Sequence, residues 1–420
     1  MNFSEESQEL MKYFLNDFEK YNEKDKPQEQ KKKDIIFKKI LNDINNANDF
    51  IKKAEKINLI KRNVKEIFSK KDFPSCSLLD NKYIPKNISN YIKVNSFGYM
   101  KTTTLISGIN INIYFMFFKK SDFNHLKNIE KKINYVLKII KFLSYYLKNT
   151  KIKKMDIFLF LTKFKKELPK NQISTLSQDN CNSAVTYACA EEGELLLYRE
   201  EEWKKVLIHE LMHSFCLDFS GISYSTLKKR IKNIFDIKSD FEISESYCEY
   251  WATVLNCAFI SYELLYNKND IENFCLYITF CIQMEKIFSL FQCVKVLNYM
   301  SLIYENLYKN DSISISFRSL LYKEETNVFA YYILKLILLY FNTDFLLCCS
   351  INNDNTIYFD KTPQNIKKIG NFFEKYYDQH DLLEKIKKME IYFKKISGSY
   401  IKPNKYLVNK TMRMTICEID

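Results

Sequence analysis

The sequence predicts an α+β fold: a small twisted sheet beside one buried helix, followed by a mostly α-helical C-terminal region and preceded by a helical N-terminal one. Three observations carry that prediction. Of 420 residues, 46% are hydrophobic and 15% aromatic, ample for a large buried core. Gly and Pro number only 6 each, which disfavours a loop-rich β-sandwich or a Gly-dependent nucleotide fold and favours long helices with short connections. Strand-like texture is confined to the stretch between Met100 and Tyr198, with helical apolar spacing on both sides. The implied regions are 1–88 (helical, Lys-rich), 89–235 (the sheet and its helix) and 236–420 (helical).

Within 1–88, Ile35, Ile36, Ile40, Leu41 and Ile44 follow helical spacing, and Pro74, Pro85 and Ser75-Cys76-Ser77 then break the pattern. Met100 to Phe118 is rich in Thr, Ile, Tyr and Phe, and predicts two strands joined by a turn at Ser107-Gly108. Ile129, Ile133, Val136, Leu137 and Ile140 predict a helix over Asn124 to Leu147. Met155 to Leu161 predicts a buried strand. Asn182 to Ala188 predicts an edge segment, and Glu194 to Tyr198 a strand that ends where Glu200 opens a helix. Beyond Glu242, helix-compatible patterns cover Glu242 to Leu264, Ile271 to Leu307, Asn327 to Phe341 and Ile366 to Ile396.

Charge and cysteine usage narrow the function classes. A net charge of +13 fits an anionic partner, but the lysines are spread along the chain and few aromatics interleave with the densest basic runs. A Lys/Ile/Asn-rich composition explains the charge better, and no nucleic-acid partner is expected. The 12 cysteines form no C-x-x-C pair, and Met1 to Phe18 is acidic without an apolar stretch. Free thiols in a reducing, intracellular compartment are therefore expected. The apolar run Val328 to Phe341 is interrupted by Lys335 and is shorter than the ~20 residues a membrane span needs. It is expected to be a core helix, and no transmembrane segment is expected.

One segment carries chemistry. Trp203 to Phe219 reads WKKVLIHELMHSFCLDF and contains His209-Glu210-Leu211-Met212-His213. On a helix, residues four apart share a face, so both imidazoles reach one metal ion. Glu210 sits beside them as a candidate general base for a metal-activated water. Val206, Leu207, Ile208 and Leu211 bury the helix, and polar groups there need partners. A catalytic metal site takes three protein ligands and keeps one position open, so the third ligand must come from elsewhere in the chain. Cys216 and Phe219 stand where a metzincin has its glycine and third histidine, which excludes that site. Asp218 falls off the ligand face of a continuing helix.

Downstream, Ser244 to Ala252 reads SESYCEYWA and resembles the N-E-x-x-x-E/D helix of gluzincin peptidases, with Ser244 in place of the usual asparagine. The resemblance implies Zn2+ held by His209, His213 and Glu245, with Glu249 orienting a ligand histidine from behind; Glu249 as the ligand remains open. It also implies a zincin-like sheet whose open edge, here Asn182, Ser183 and Ala184, pairs with extended substrate. An oxyanion donor from the helical part is expected, with Tyr331, Tyr332 and Tyr224 as candidates. The run from Asn182 through Trp251, carried by NSAVTYAC, LLLYREEEWKKVLIHELMHSFCLDFS and ESYCEYWA, is similar to an uncharacterised zincin-like family of mimivirus-like large DNA viruses. Together these imply a zinc metallopeptidase acting on a protein or peptide, in host cytoplasm or virion. An endopeptidase is preferred because no motif for holding a free amine precedes His209. The alternatives are a catalytically inactive scaffold of the same fold and a basic nucleic-acid-binding protein.

Overall fold

Six strands form one mixed sheet in the computed structural model, which describes residues 3–17, 26–148, 151–171, 173–353, 355–397 and 404–419. They are β1 (Lys61–Glu66), β2 (Gly98–Ile106), β3 (Ile109–Phe117), β4 (Lys154–Thr162), β5 (Ala184–Thr186) and β6 (Glu192–Arg199), in spatial order β1-β2-β3-β4-β6-β5. β2 and β3 form the expected hairpin. Its two turn residues, Ser107 and Gly108, have φ of 50° and 83°, the left-handed pair that a tight two-residue turn requires. β3, β4 and β6 run parallel, and the edge strand β5 runs antiparallel to β6.

The pleat separates two cores. Ile113, Ile157 and Leu195 point to the main core, while Tyr114, Phe158 and Leu196 point to a smaller cluster with Leu78, Leu79, Ile88 and Ile92. Both faces of β4 are therefore covered, which explains its continuous apolar run. The helices Leu126–Ser144 and Trp203–Ser214 lie in the main core, and the second packs against the long helix Ile243–Leu264.

Three expectations need correction. The N-terminal region is not purely helical: it supplies β1, the far edge of the sheet. That strand reads KRNVKE with little buried surface, so it has no apolar alternation to reveal it. Nor is the helix Pro27–Lys56 a separate unit. Its Ile36, Phe37, Ile40, Leu41 and Ile44 join the same core as the sheet and the C-terminal helices. Finally, the chain does not stay helical to its end: Met412 to Cys417 runs through the core without regular structure, and all six residues are buried.

The run Val328 to Phe341 is buried, as expected, and includes a π-helical turn at Phe329–Leu334. A different helix, Ile271–Tyr299, is long and apolar enough to cross a membrane by length and composition, yet 72% of its apolar window is buried inside the protein.

Gly98 provides a test of the β1–β2 edge. A Cβ there would sit 2.5 Å from the Lys65 carbonyl oxygen and 2.6 Å from Phe123 Cζ. Gly98→Ala should cost about 1–3 kcal/mol by overpacking, read as a lower denaturation midpoint. Because this edge is opposite β5, metal content should not change; a loss of metal would show that the two ends of the sheet are coupled.

Candidate metal centre

The helix Trp203–Ser214 is buried along nearly its whole length. It follows β6 through a sharp turn at Glu202, which has a left-handed φ of 59°. His209 and His213 project from it toward Glu245 in the first turn of the helix Ile243–Leu264. His209 Nε2 lies 3.1 Å from Glu245 Oε2, His213 Nε2 lies 3.3 Å from the same oxygen, and the two Nε2 atoms are 3.2 Å apart. Ligand atoms on a tetrahedral zinc with bonds of about 2.0–2.1 Å stand about 3.3 Å apart. The triangle has that size, and its three residues form a group able to hold a metal ion. Both histidines are buried, while 18% of the Glu245 side chain stays exposed, so the triangle opens to solvent on the Glu245 side.

The outer nitrogens are also engaged. His209 Nδ1 lies 2.9 Å from Glu249 Oε1, close enough for an ion pair though off the line of a straight hydrogen bond. Glu249 also pairs with the buried Lys205. Glu249 thus faces the outer nitrogen of His209, and Glu245 faces the inner nitrogens of both imidazoles. His213 Nδ1 lies 2.7 Å from Asp218 Oδ2, and Ser220 Oγ donates to Asp218 Oδ1 at 2.9 Å. The Cys248 thiol stands 3.6 Å from His213 Nδ1. Such partners fix a ligand imidazole's tautomer and raise its basicity.

Asp218, Lys205 and Cys248 were missed in the sequence. Asp218 was set aside on the premise that the helix continues, but it ends at Ser214. Cys216 then adopts a left-handed φ of 54°, and the chain folds Asp218 back beneath His213. The glycine expected at position 216 was the available signal, since that residue freely takes such a φ. Lys205 had a signal too, as a lysine on an otherwise apolar helix.

Cys216 is bonded to Cys189, which corrects the expectation that every thiol is free. The bridge joins the end of the histidine-bearing helix to the segment after β5. There, Cys189 N–H donates to the His213 carbonyl at 3.2 Å, and the Thr186 and Ser214 hydroxyls share a hydrogen bond of 2.6 Å. The edge strand is thus held against this helix. Of the three residues predicted to bind substrate, Ser183 accepts from Tyr198 N–H through its carbonyl, and Asn182 Oδ1 accepts from Thr326. Ala184 begins β5. Ser183 and Tyr187 bond to β6, so by alternation the backbone groups of Ala184 and Thr186 face the open edge.

Of the tyrosine candidates, Tyr331 packs its ring edge-on to His209, with centroids 6.2 Å apart. Tyr332 is a correction. Successive helical residues point in different directions, and its hydroxyl donates to the Met412 carbonyl at 2.7 Å, turned away from the histidines. Tyr224 donates to Glu242 and touches Ser244 Oγ at 3.3 Å. Glu210 is partly exposed; its carbonyl accepts from Ser214 Oγ at 2.9 Å, and its carboxylate makes no hydrogen bond or ion pair among the described residues.

Charge binds the cluster together. Burial pushes the His209 imidazole down, but Glu245 and Glu249 override it and raise its pKa to about 9. Burial acts the same way on His213, yet Cys248, Glu245 and Asp218 lift it well above 6.5. Glu245 is held far below the usual carboxylate range: burial opposes this, and His213 and His209 outweigh it. Glu249 is held down against burial by Lys205 and His209. Burial raises Glu210. The site therefore carries a strong negative potential at the imidazoles, which attracts protons or a metal cation.

No protein-family profile, curated protein or solved structure matches the chain.

The shift at His209 gives a signed prediction. A group whose folded pKa lies above its unfolded value of 6.5 stabilises the fold fully below 6.5, and that contribution fades as pH rises through about 9. Chelator-treated protein should lose thermal stability across that window, and Glu249→Gln should flatten the loss. Imidazole NMR on the metal-free chain is the direct check, and a His209 midpoint at or below 6.5 would contradict it.

Proposed function

We propose that this chain is a zinc-dependent metallopeptidase of the gluzincin type, related to the zincin-like proteins it resembles in sequence. The observation that carries the reading is the triangle of His209 Nε2, His213 Nε2 and Glu245 Oε2, with edges of 3.1–3.3 Å, beside the unpaired carboxylate of Glu210. Two imidazoles and one carboxylate leave a fourth position open, which is the donor set of catalytic rather than structural zinc. The ligand imidazoles are backed by Glu249 and Asp218, as zinc-binding histidines generally are. When bound there, zinc supplies Lewis acidity and brings the pKa of water from 15.7 to about 7.

The protein's own groups then divide the work. Glu210 accepts a proton from water and passes it to the departing amine; its raised pKa suits a group that must both take and give a proton near neutrality. Tyr331, whose ring packs edge-on to His209, is our candidate donor to the carbonyl oxygen as charge develops on it. Ala184 and Thr186 offer the backbone groups of an edge strand, on which an extended peptide adds as a further strand. The short antiparallel edge strand held against the metal-facing helix supports the zincin-like assignment of the sheet, and its open edge favours an endopeptidase. The substrate class is protein or peptide.

Two experiments test the reading. Elemental analysis of purified protein should give about one zinc lost with Glu245→Ala and retained, with weaker affinity, in Glu249→Ala. Losing the carboxylate behind His209 should cost roughly 10–100-fold in affinity. Retention of this zinc in Glu245→Ala would overturn the ligand assignment. Independently, Glu210→Gln should keep that zinc and lose at least 100-fold in kcat on an unfolded protein substrate, the lower range for a general base. Unchanged turnover would remove Glu210 from the mechanism. Absence of zinc from folded wild type would leave the scaffold reading.

A further inference from the structure

Apart from the His209 centre, three thiols and one carboxylate meet in the core with no role in the chemistry above. Cys257 lies on the helix Ile243–Leu264, Cys281 and Glu285 sit one turn apart on the helix Ile271–Tyr299, and Cys417 comes from the irregular C-terminal segment. All four are fully buried. Donor atoms of Cys257, Glu285 and Cys417 lie within 4.8 Å of one another. The neighbouring Cys281 thiol interacts electrostatically with those of Cys257 and Cys417.

Glu285 is the telling member. Its Oε1 accepts from the N–H groups of Ile416 and Cys417 at 3.0 and 2.9 Å, and from the Thr415 hydroxyl. Its Oε2 is buried with no partner. A carboxylate oxygen left bare in a protein interior bears the full cost of its lost hydration. A core of neutral thiols, in which Cys417 Sγ donates to the Cys281 carbonyl at 3.7 Å, leaves that oxygen unmet.

We infer that Cys257, Cys281, Cys417 and Glu285 form a second, structural zinc site that fastens the C-terminal segment to two core helices. Three sulfurs and one carboxylate select a thiophilic divalent cation over magnesium or calcium. Four protein ligands close the coordination shell, unlike the open three-ligand His209 site. With Zn–S bonds of about 2.3 Å, sulfurs on a tetrahedral ion stand about 3.8 Å apart, so the donor atoms of Cys257, Glu285 and Cys417, within 4.8 Å of one another, draw in around the ion and the Cys281 thiol turns toward it. Lys335 is the cation that acts on Glu285, and it offsets part of the negative charge of the ligand set.

Cobalt(II) substitution of the full-length protein under reductant tests this without relying on activity. Wild type should bind two cobalt ions and show thiolate-to-cobalt charge-transfer absorption in the near ultraviolet. The His209→Ala/His213→Ala variant should keep one ion and the full band. Cys281→Ser/Cys417→Ser should lose the band and keep the other ion. Because the cysteine variant can fail to fold, the band in the histidine variant decides the matter: its absence there, with folded protein, overturns the proposal. Loss of the histidine-bound ion alone would count against the peptidase reading and leave this site standing.

Discussion

Everything near the candidate centre follows from placing two imidazoles and a carboxylate tip to tip between two apolar helices. His209, His213 and Glu245 meet within 3.3 Å, where water is largely excluded and an unpaired polar group is costly. The surroundings answer that cost group by group. Glu249 and Lys205 neutralise each other behind His209, and Asp218 and Ser220 close the back of His213. A buried pair contributes little net stability of its own, but removing one partner strands the other. The outer groups are therefore best understood as holding the imidazoles in one tautomer and orientation, a role in which geometry matters more than strength.

That arrangement constrains the local chain path. The helix carrying the histidines must end soon after His213 so that Asp218 can return beneath it. The left-handed residue at Cys216 provides the reversal, and the bond to Cys189 ties it to the segment following β5. Thr186 and Ser214 close the same seam through their hydroxyls. An edge strand that is both open on one side and anchored on the other can align an extended chain at a fixed distance from the histidines. A freely moving loop with the same side chains would lose that alignment, because small displacements of reacting groups are expensive in rate.

How far the sequence revealed all this depended on whether a feature leaves a local pattern. The hairpin around Ser107-Gly108, the buried strand at Met155, the strand before Glu200 and the helix beginning near Glu242 were legible because apolar periodicity records which face is buried. His209, Glu210 and His213 were legible because their spacing is itself the geometry of a helix face. Glu245 could be named by resemblance, but that it and not Glu249 faces both inner imidazole nitrogens was visible only in the structure, since both acids lie on the same face of one helix. β1 stayed hidden because an exposed edge strand has no apolar side to display. Asp218 and the Cys189–Cys216 pairing were hidden because each depends on where a helix stops, and boundaries are weakly encoded in local sequence. Tyr331 and Tyr332 differ only in direction, and a π-helical turn shifts the directions that ordinary spacing would assign.

The C-terminal segment shows the same logic carried through long-range contacts. Irregular backbone in a core must find partners for its own N–H and C=O groups, and here buried charged side chains supply them. Glu202 accepts from Met414 and Thr415, Glu285 from Ile416 and Cys417, and Lys295 donates to the carbonyls of Val408 and Thr411. Lys335 donates to the Met414 carbonyl at 3.1 Å and to Ser289 Oγ at 2.9 Å. The same ammonium acts on both Glu249 and Glu285, so one buried cation serves the carboxylate behind His209 and the carboxylate of the thiol cluster. Burial pushes this lysine below its ordinary value, and those two acids work to keep it charged. Through Lys335, whose ammonium bonds to the Met414 carbonyl and acts on Glu249, an irregular segment about 200 residues beyond His213 comes within one side chain of the groups behind His209.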